Sequence, residues 1–233
     1  IWKGLVGSEM CIRDRRYNLR EFSKVAHSVG AILVVDATQS MGMVPIDAVA
    51  SGADVIISSG YKWLRGTYGT AVGYLSPEAK KLVPGIVGFR SNEDIWDMRS
   101  DRMNLPEDAS RFEFTTLHFG ALRGLAASIE EMLEIGIERI WEHDLSLSDM
   151  VVELASSRGL EVTSPTDDDQ RSAIVSIRPP SEHHSAEIVR RLQDEFGILV
   201  TDRSGMIRVS PHIDNDHSQI EFLFTSLDKI LAN

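Results

Sequence analysis

The chain has 233 residues, 42% of them hydrophobic, which is enough to bury one large core or two modest ones. Its 35 acidic side chains outnumber the 24 basic ones and give a net charge of −11, which argues against nucleic acid and anionic membranes as partners. No apolar run approaches the roughly 20 residues of a membrane span, and no His or Cys spacing is typical of a zinc site. The single cysteine, Cys11, excludes an internal disulfide and fits a reducing cytoplasm.

The beginning of the chain differs from the rest. Residues 1–15 start without methionine and match neither the helical nor the strand period. Within them, residues 4–15 look like translated sequencing-adapter read-through. We therefore predict that residues 1–15 are non-native and exclude them from fold reasoning.

Two apolar runs predict two neighbouring strands. A helix is predicted over Leu19–Ser28, followed by an apolar strand at residues 31–35 and a second strand at residues 53–57. A purely apolar strand is buried on both faces, as in a parallel sheet. Residues 45–52 would form the short crossover between the two strands, which predicts an α/β fold.

A carboxylate and an amine follow these two strands. Asp36 closes the first apolar run, and Lys62 follows the second. Because open α/β sheets bind ligands at the carboxyl ends of their strands, we expect both groups to face one crevice. Pyridoxal phosphate (PLP) needs a lysine that bonds to its aldehyde and a carboxylate that keeps its pyridine nitrogen protonated. The pair therefore predicts a PLP site with Lys62 as the catalytic residue.

The residues around this pair resemble the cofactor site of the class V aminotransferases, a group that also holds cysteine desulfurases, kynureninases and isopenicillin N epimerases. The matching segments are Asp36-Ala-Thr-Gln39 and Ser59-Gly-Tyr-Lys62. The resemblance implies that Asp36 pairs with the pyridine nitrogen and that Gln39 donates to the ring hydroxyl oxygen. It also implies that Ser59 contacts the phosphate and that Lys62 carries the Schiff base. Tyr61 stands where desulfurases often have histidine, and its hydroxyl can still donate to phosphate.

Each of these positions also has an ordinary structural interpretation. Asp36 could be a helix N-cap, Lys62 a solvated surface residue and Gln39 a turn residue. Four matching positions at the family's spacing favour the cofactor site over these alternatives.

A further segment resembles the family at a subunit interface. Residues 111–116, Arg-Phe-Glu-Phe-Thr-Thr, are similar to Arg-Phe-Glu-x-Gly-Thr, whose threonine reaches the cofactor phosphate of the neighbouring subunit. This implies that Thr116 binds cofactor across the interface of a homodimer. Thr115 stands where glycine is common and could instead cap the following helix.

The segment Met206-Ile-Arg-Val-Ser-Pro-His212 resembles the strand whose arginine clamps the substrate α-carboxylate. Arg208 is therefore predicted to bind an amino-acid substrate, because a guanidinium meets a carboxylate in two parallel hydrogen bonds. A surface position for Arg208 is the alternative. His212 is interpreted as a strand-end or capping residue.

The resemblance implies the fold of PLP-dependent transferases of the aspartate aminotransferase type. Residues 16–135 would be the C-terminal part of the large PLP-binding domain, with a mainly parallel sheet, and residues 136–233 a small α+β domain. The chain would then be a fragment of an enzyme of about 400 residues. After Lys62 we predict a strand at 70–75, an active-site loop at 89–111, helices at 118–133, 137–157, 185–196 and 217–232, and strands at 160–164, 172–177, 198–201 and 206–210.

The implied activity is that of a PLP-dependent enzyme acting on an amino acid. Desulfurases carry a persulfide-forming cysteine between the two late strands, but residues 198–208 contain none. We therefore predict transamination, epimerisation or C–S or C–C lysis rather than persulfide-type desulfuration. The alternatives are a truncated, non-catalytic fragment that keeps the fold, and a nucleotide-binding α/β protein, although neither G-x-G-x-x-G nor a Walker sequence occurs.

Overall fold

The structure of the chain is a computed structural model that describes residues 4–8 and 14–232, with the backbone alone for residues 4–8. The rest of the segment predicted to be non-native, including Cys11, lies outside the described residues. The chain divides into two compact units. In the described part, unit 1 comprises residues 4–8, 18–41 and 46–131, and unit 2 comprises residues 14–17, 42–45 and 132–232.

Unit 1 is built on a four-stranded sheet. Its strands are β1 (Gly4–Ser8), β2 (Ile32–Asp36), β3 (Val55–Ser59) and β4 (Ala71–Leu75). They lie in the order β1-β2-β3-β4, with β1, β2 and β3 parallel and β4 antiparallel to β3. The prediction of a mainly parallel sheet is confirmed. β1 lies within residues 1–15, which are predicted to be non-native, so it was not among the predicted strands.

One face of β2 is covered by the helix α1 (Leu19–Ser28), whose bounds are those predicted. The helix begins after Asn18, whose side chain accepts the Glu21 N–H at 3.3 Å. Leu33 and Val35 are buried with the helix, whereas the alternate residues of β2 are only partly buried. The prediction that β2 is buried on both faces is therefore wrong, since its burial alternates with the two-residue period of a strand covered fully on one face.

The crossover from β2 to β3 contains the short helix α2 (Ala48–Ser51). Asp47 begins it by accepting the Ala50 N–H at 2.8 Å. Gly52 ends it with φ +70°, a conformation that favours glycine, and a Cβ there would lie 2.5 Å from Ser23 Oγ. The crossover therefore depends on a glycine at its end.

The long connection between β4 and the next helix is held by its own polar groups. Asn92 organises it, because its side chain donates to the Asp94 carbonyl at 2.9 Å and accepts the Asn104 N–H at 3.0 Å. Residues 87–89, 92 and 97–103 line a cavity of about 520 Å³ within unit 1. The assignment of this connection as an active-site loop stays a prediction. The connection leads into α3 (Phe119–Ile135), and the boundary between the two units falls in that helix.

Unit 2 is an α+β module, as predicted. Its helices are α4 (Ile137–Ser157), α5 (Ser185–Phe196) and α6 (His217–Leu231). Its strands are β5 (Glu161–Val162), β6 (Val175–Arg178), β7 (Thr201–Arg203) and β8 (Met206–Val209), in the antiparallel order β5-β6-β8-β7. The three helices bury side chains of β6 and β8 in one core, of which Leu147, Leu192 and Phe224 are fully buried members.

The strands of unit 2 differ from the prediction in their bounds, most of all the strand predicted at residues 198–201. The apolar residues 198–200 are not paired, and β7 begins only at Thr201. Ser204 and Gly205, with φ +52° and +78°, form a two-residue turn that pairs Arg203 with Met206. Such a turn fixes the register of a hairpin, and it places the strand after the apolar run rather than on it.

None of the helices in the described part of the chain is both long enough and apolar enough to cross a membrane.

Candidate functional site

Asp36 and Ser59 lie at the same edge of the unit 1 sheet. Each is the last residue of its strand, and β2 and β3 are parallel neighbours, with Asp36 opposite Ile57. The Ala37 N–H donates to the Ile57 carbonyl at 2.7 Å, so the pairing continues past the end of β2. The two strands therefore deliver a carboxylate and a hydroxyl to one edge, the edge where open α/β sheets bind ligands.

Thr38 joins the ends of the two strands. Its N–H donates to Asp36 Oδ1 at 3.0 Å, and its Oγ1 accepts the Ser59 N–H at 3.0 Å. Asp36 is nevertheless exposed, so its carboxylate is accessible to a ligand. Thr38 was not among the predicted site residues. The signal was present, because an Asp that ends a strand two residues before a Thr is typical of a side-chain–backbone turn.

Gln39 lies in the tight turn after β2, where the Ala37 carbonyl accepts the N–H groups of Ser40 at 2.9 Å and Met41 at 2.8 Å. Its side chain is partly buried. This position agrees with the alternative interpretation of Gln39 as a turn residue. Gln39 is also close to Asp36 along the chain. Its contact with a cofactor stays a prediction.

Lys62 follows β3 in a short turn and is partly buried. Its Nζ lies 5.7 Å from the centre of the Tyr61 ring, within the range of a cation–π contact. The Tyr61 ring itself stacks on Tyr68, with 4.7 Å between ring centres and 22° between ring planes. Tyr68 is 82% exposed, and it is thus a neighbour of Tyr61 at the site rather than a core residue.

Gly60 fixes the backbone between Ser59 and Lys62. Its N–H donates to the Thr70 carbonyl at 2.8 Å, and its own carbonyl accepts the Gly66 N–H at 2.8 Å. A Cβ at Gly60 would lie 2.5 Å from Thr70 Oγ1 and 3.0 Å from Leu125 Cδ1. A side chain at this position would push the backbone that carries Lys62 away from the sheet.

The groups at this edge fit PLP in their chemistry. Asp36 supplies an exposed carboxylate for the pyridine nitrogen, and Lys62 supplies a primary amine for the aldehyde. The hydroxyls of Ser59 and Tyr61 supply donors for phosphate oxygens. The described residues contain no group of three or more His, Cys, Asp or Glu side chains placed to hold a metal ion.

The structure places Thr116 on an exposed stretch before α3. His118, not Thr115, caps that helix, because His118 Nδ1 accepts the Ala121 N–H at 3.1 Å. Arg111 donates to the carbonyls of Lys80 at 2.5 Å and of Pro106 at 2.8 Å, and this anchors the segment before Thr116. The interface role of Thr116 stays a prediction.

Arg208 belongs to unit 2, where it lies on β8 and is only 9% exposed. The surface alternative is therefore wrong. Its Nε lies 4.0 Å from Asp14 Oδ1. Asp36 and Ser59 thus end neighbouring strands of unit 1, with Lys62 three residues after Ser59, while the predicted carboxylate clamp is a buried residue of unit 2.

His212 contacts a buried acid. Its Nδ1 lies 2.8 Å from Asp144 Oδ2, and Asp144 is fully buried on α4. Burial raises the pKa of the Asp144 carboxyl, an effect that the hydrogen bond from His212 and the charges of His212 and His143 partly offset. His212 is therefore the partner of a buried carboxyl rather than only a strand-end residue.

Comparisons with known proteins identify the family of the chain. The Aminotransferase class-V family model matches residues 16–223. A probable cysteine desulfurase of Methanothermobacter thermautotrophicus is 29% identical, over 91% of this chain and 56% of that protein. A kynureninase of Deinococcus radiodurans is also 29% identical, over 79% of this chain and 45% of that protein. The solved apo structure of a cysteine desulfurase from Thermococcus onnurineus superimposes with a TM-score of 0.87 at 25% identity, covering 99% of this chain and 60% of that one.

These comparisons contradict one prediction from the sequence. Persulfide-type desulfuration was excluded because residues 198–208 lack cysteine, yet the similar proteins include cysteine desulfurases. The two-residue turn between β7 and β8 indeed has no thiol. One loop cannot exclude the reaction, however, because a thiol can approach a site from any segment, and the chain spans only about half the length of the curated relatives it matches.

The match covers most of the chain, and the solved structure confirms the fold over nearly all of it. The chain belongs to the class V aminotransferase family, whose members are PLP-dependent enzymes.

Proposed function

We propose that the whole protein is a cytoplasmic, PLP-dependent enzyme that cleaves the carbon–sulfur bond of an amino acid. The observation that carries the cofactor assignment is the meeting of Asp36 and the segment of Lys62 at the carboxyl edge of two parallel strands. Support for a sulfur amino acid comes from similarity to proteins named cysteine desulfurases, in sequence and in fold.

Bound PLP would supply an electron-withdrawing ring beside the substrate carbon. Asp36 would hold the pyridine nitrogen in its protonated form, because an adjacent carboxylate favours the cationic ring. The Lys62 amine would hold the cofactor through its aldehyde, and in its neutral form it would move a proton at the substrate carbon. Gln39 would donate to the ring hydroxyl oxygen.

The assignment of Lys62 as the residue that bonds to PLP is tested by reduction with borohydride. Whole protein loaded with PLP is reduced, digested and mapped by mass spectrometry. We expect the pyridoxyl group on the peptide that contains Lys62, with none after Lys62→Arg. A pyridoxyl group on another lysine in the unchanged protein contradicts the assignment.

The substrate is tested by product analysis. The whole protein is incubated with L-cysteine and a dithiol, which accepts the sulfur and releases it as sulfide. We expect alanine and sulfide in equal amounts. The similarity to kynureninases favours C–C cleavage as the second candidate, so L-kynurenine is assayed in parallel. Turnover of kynurenine without turnover of cysteine overturns the sulfur assignment and leaves the cofactor assignment intact.

We propose further that the whole protein is a homodimer in which Thr116 contacts the cofactor of the partner. An exposed threonine on a stretch anchored by Arg111 is suited to reach a neighbouring subunit. Symmetric dimers are the commonest oligomers, which agrees with this arrangement. Sedimentation of the protein at assay concentration should give a dimer, and a fully active monomer contradicts the proposal.

A further inference from the structure

The pairing of β2 with β3 ends at a side chain rather than at a backbone group. The Ala37 N–H donates to the Ile57 carbonyl at 2.7 Å, and in a parallel ladder the next bond would join the Ser59 N–H to the Ala37 carbonyl. That carbonyl instead accepts two N–H groups of the following turn, at 2.9 and 2.8 Å. The Ser59 N–H donates to Thr38 Oγ1 at 3.0 Å, so a hydroxyl replaces the backbone acceptor of the ladder.

Thr38 also holds one oxygen of the Asp36 carboxylate. Its backbone N–H donates to Asp36 Oδ1 at 3.0 Å. Within the part of the chain that the structure describes, no hydrogen bond reaches Asp36 Oδ2 or the Ser59 hydroxyl. Thr38 therefore binds one group of each residue and leaves the other group of each available to a ligand.

The two groups that remain available suit the two ends of PLP. A carboxylate binds the pyridine nitrogen and a hydroxyl binds the phosphate, and the covalent structure of the cofactor sets the distance between these ends. A site that binds both ends has to keep its own two groups at one spacing. A residue bonded to both strand ends does this, and the β-branched side chain of Thr38 has few rotamers in which the spacing could change.

We propose that Thr38 is a positioning residue of the cofactor site. By fixing the turn after Asp36 to the backbone of Ser59, it orients the Asp36 carboxylate towards the pyridine nitrogen. Thr38 acts through these two residues rather than by contact with the cofactor. The inference rests on the proposed function in taking Asp36 and Ser59 as cofactor residues, and it does not depend on which amino acid is the substrate.

The test follows the visible absorbance of the PLP-loaded whole protein as the pH is changed. The midpoint of the titration reports the pKa of the nitrogen that joins Lys62 to the cofactor. A protonated pyridine nitrogen lowers this pKa, because two positive charges on one conjugated system repel each other. A carboxylate of Asp36 that is less well placed leaves the pyridine nitrogen less protonated, so the midpoint should rise.

Thr38→Val keeps the shape of the side chain and removes the acceptor. We expect it to raise the midpoint by about 0.4–1 pH unit and to weaken PLP binding by about 2- to 10-fold, the range that one hydrogen bond supplies. Thr38→Ser keeps the acceptor and should stay close to the unchanged protein in both quantities. The matched control is Thr163→Val, which removes a hydroxyl that donates to the Ser176 carbonyl at 3.2 Å in unit 2 and should change neither quantity.

A third substitution keeps the test open if Thr38→Val does not fold. Thr38→Cys has a thiol, which is a weaker acceptor than a hydroxyl. Its midpoint should lie between those of Thr38→Ser and Thr38→Val. A midpoint of Thr38→Cys no higher than that of Thr38→Ser overturns the proposal.

The Asp36→Asn background shows whether Thr38 acts through Asp36. An amide cannot hold the pyridine nitrogen protonated, so Thr38→Val should not raise the midpoint further in this background. An equal rise in both backgrounds overturns the proposal, as do equal midpoints in Thr38→Val and the unchanged protein. A rise in Thr38→Ser as large as that in Thr38→Val also overturns it, because the hydroxyl would then not be the cause.

These outcomes are distinguishable from failure of the proposed function. A pyridoxyl group on a lysine other than Lys62 in the unchanged protein overturns the cofactor assignment and this inference together. A pyridoxyl group on Lys62, combined with any of the contrary midpoints above, overturns this inference alone. Absence of turnover with cysteine overturns only the proposed reaction, because the titration contains no substrate.

Discussion

Opposite edges of the unit 1 sheet each carry an aspartate, and the two are used differently. At the amino end of β3, Asp54 is 8% exposed, and its Oδ2 accepts the Leu33 N–H at 2.8 Å and the His27 Nε2–H at 2.9 Å. At the carboxyl end of β2, Asp36 is exposed and accepts the Thr38 N–H at 3.0 Å. The first carboxylate ties α1 to two strands, and the second remains accessible.

The difference follows from what surrounds each edge. The last turn of α1 brings His27 to Asp54, and Ser23 on the same helix donates to the Gly52 carbonyl at 2.8 Å, so the amino edge is closed by a helix. At the carboxyl edge, the turn through Thr38 joins the ends of β2 and β3 and leaves Asp36 exposed. A carboxylate that the fold does not surround is available for a ligand. Asp54 is therefore expected to stabilise the fold, and Asp36 is expected to act in function.

The largest effect is expected from Asp36→Asn in the whole enzyme. An amide cannot hold the pyridine nitrogen protonated, so turnover should fall by about 10²–10⁴-fold, the range for a positioned acid–base group. The free energy of unfolding should change by less than about 0.5 kcal/mol, because the side chain is exposed. Steady-state kinetics and urea unfolding measure the two quantities.

The matched control for this variant is Asp47→Asn at the start of α2, since Asn caps a helix as well as Asp does. It should change neither quantity. Unchanged turnover in Asp36→Asn would remove Asp36 from the cofactor site, and a large loss of stability would show that the two edges do not differ as described.

The opposite pattern is expected from Asp54→Ala, which should lower the stability and leave turnover unchanged. It leaves the buried Leu33 N–H without an acceptor and removes the partner of His27, which should cost about 2–4 kcal/mol of unfolding free energy. Turnover per folded molecule of the whole enzyme should stay unchanged. Asp168→Ala, which truncates a side chain 98% exposed, is the control and should cost less than about 0.5 kcal/mol. A stable Asp54→Ala variant would contradict the structural role.

The sequence predicted the helices better than the strands. The bounds of α1, α4 and α5 match the prediction because each has a clear stop or start signal, such as Asn18 before α1 and Gly197, with φ +70°, after α5. β7 was misplaced because the apolar residues 198–200 have a strong strand propensity. The turn at Ser204 set the pairing instead, and propensity does not report register.

The site was predictable where it is local. Asp36 and Ser59 end neighbouring parallel strands, and Gln39 and Lys62 each follow three residues later, so periodicity and spacing were enough to predict that the two segments share one edge of the sheet. The contact of Asp14 with Arg208, and that of Asp144 with His212, join residues far apart in the chain. No local pattern encodes such pairs, because they depend on how the helices and strands of unit 2 pack.

A smaller effect is expected from Gly60→Ala, which tests whether the carboxyl edge needs a fixed backbone. The new methyl group would meet Thr70 Oγ1 at 2.5 Å and Leu125 Cδ1 at 3.0 Å, so we expect a loss of about 1–3 kcal/mol. Gly73→Ala on the adjacent strand is the control, since nothing lies within 4 Å of its added Cβ. Equal losses in both variants would show that close packing at Gly60 is not the cause.

The smallest effect is expected from a change of pH on the stability that a third carboxyl group, that of Asp144, contributes. Burial raises the pKa of Asp144, so the folded state holds its proton more tightly than the unfolded state does. The contribution of Asp144 to the free energy of unfolding is therefore fully present below the ordinary Asp pKa of about 4. It is lost as the pH rises through the raised pKa of the folded state. Asp144→Asn does not titrate. The Tm of the unchanged chain, relative to this variant, should be highest in acid and fall as the pH rises. A difference independent of pH would mean that hydrogen bonding and charge from His212 cancel the effect of burial on the pKa, and a difference that grows as the pH rises would mean that they outweigh it.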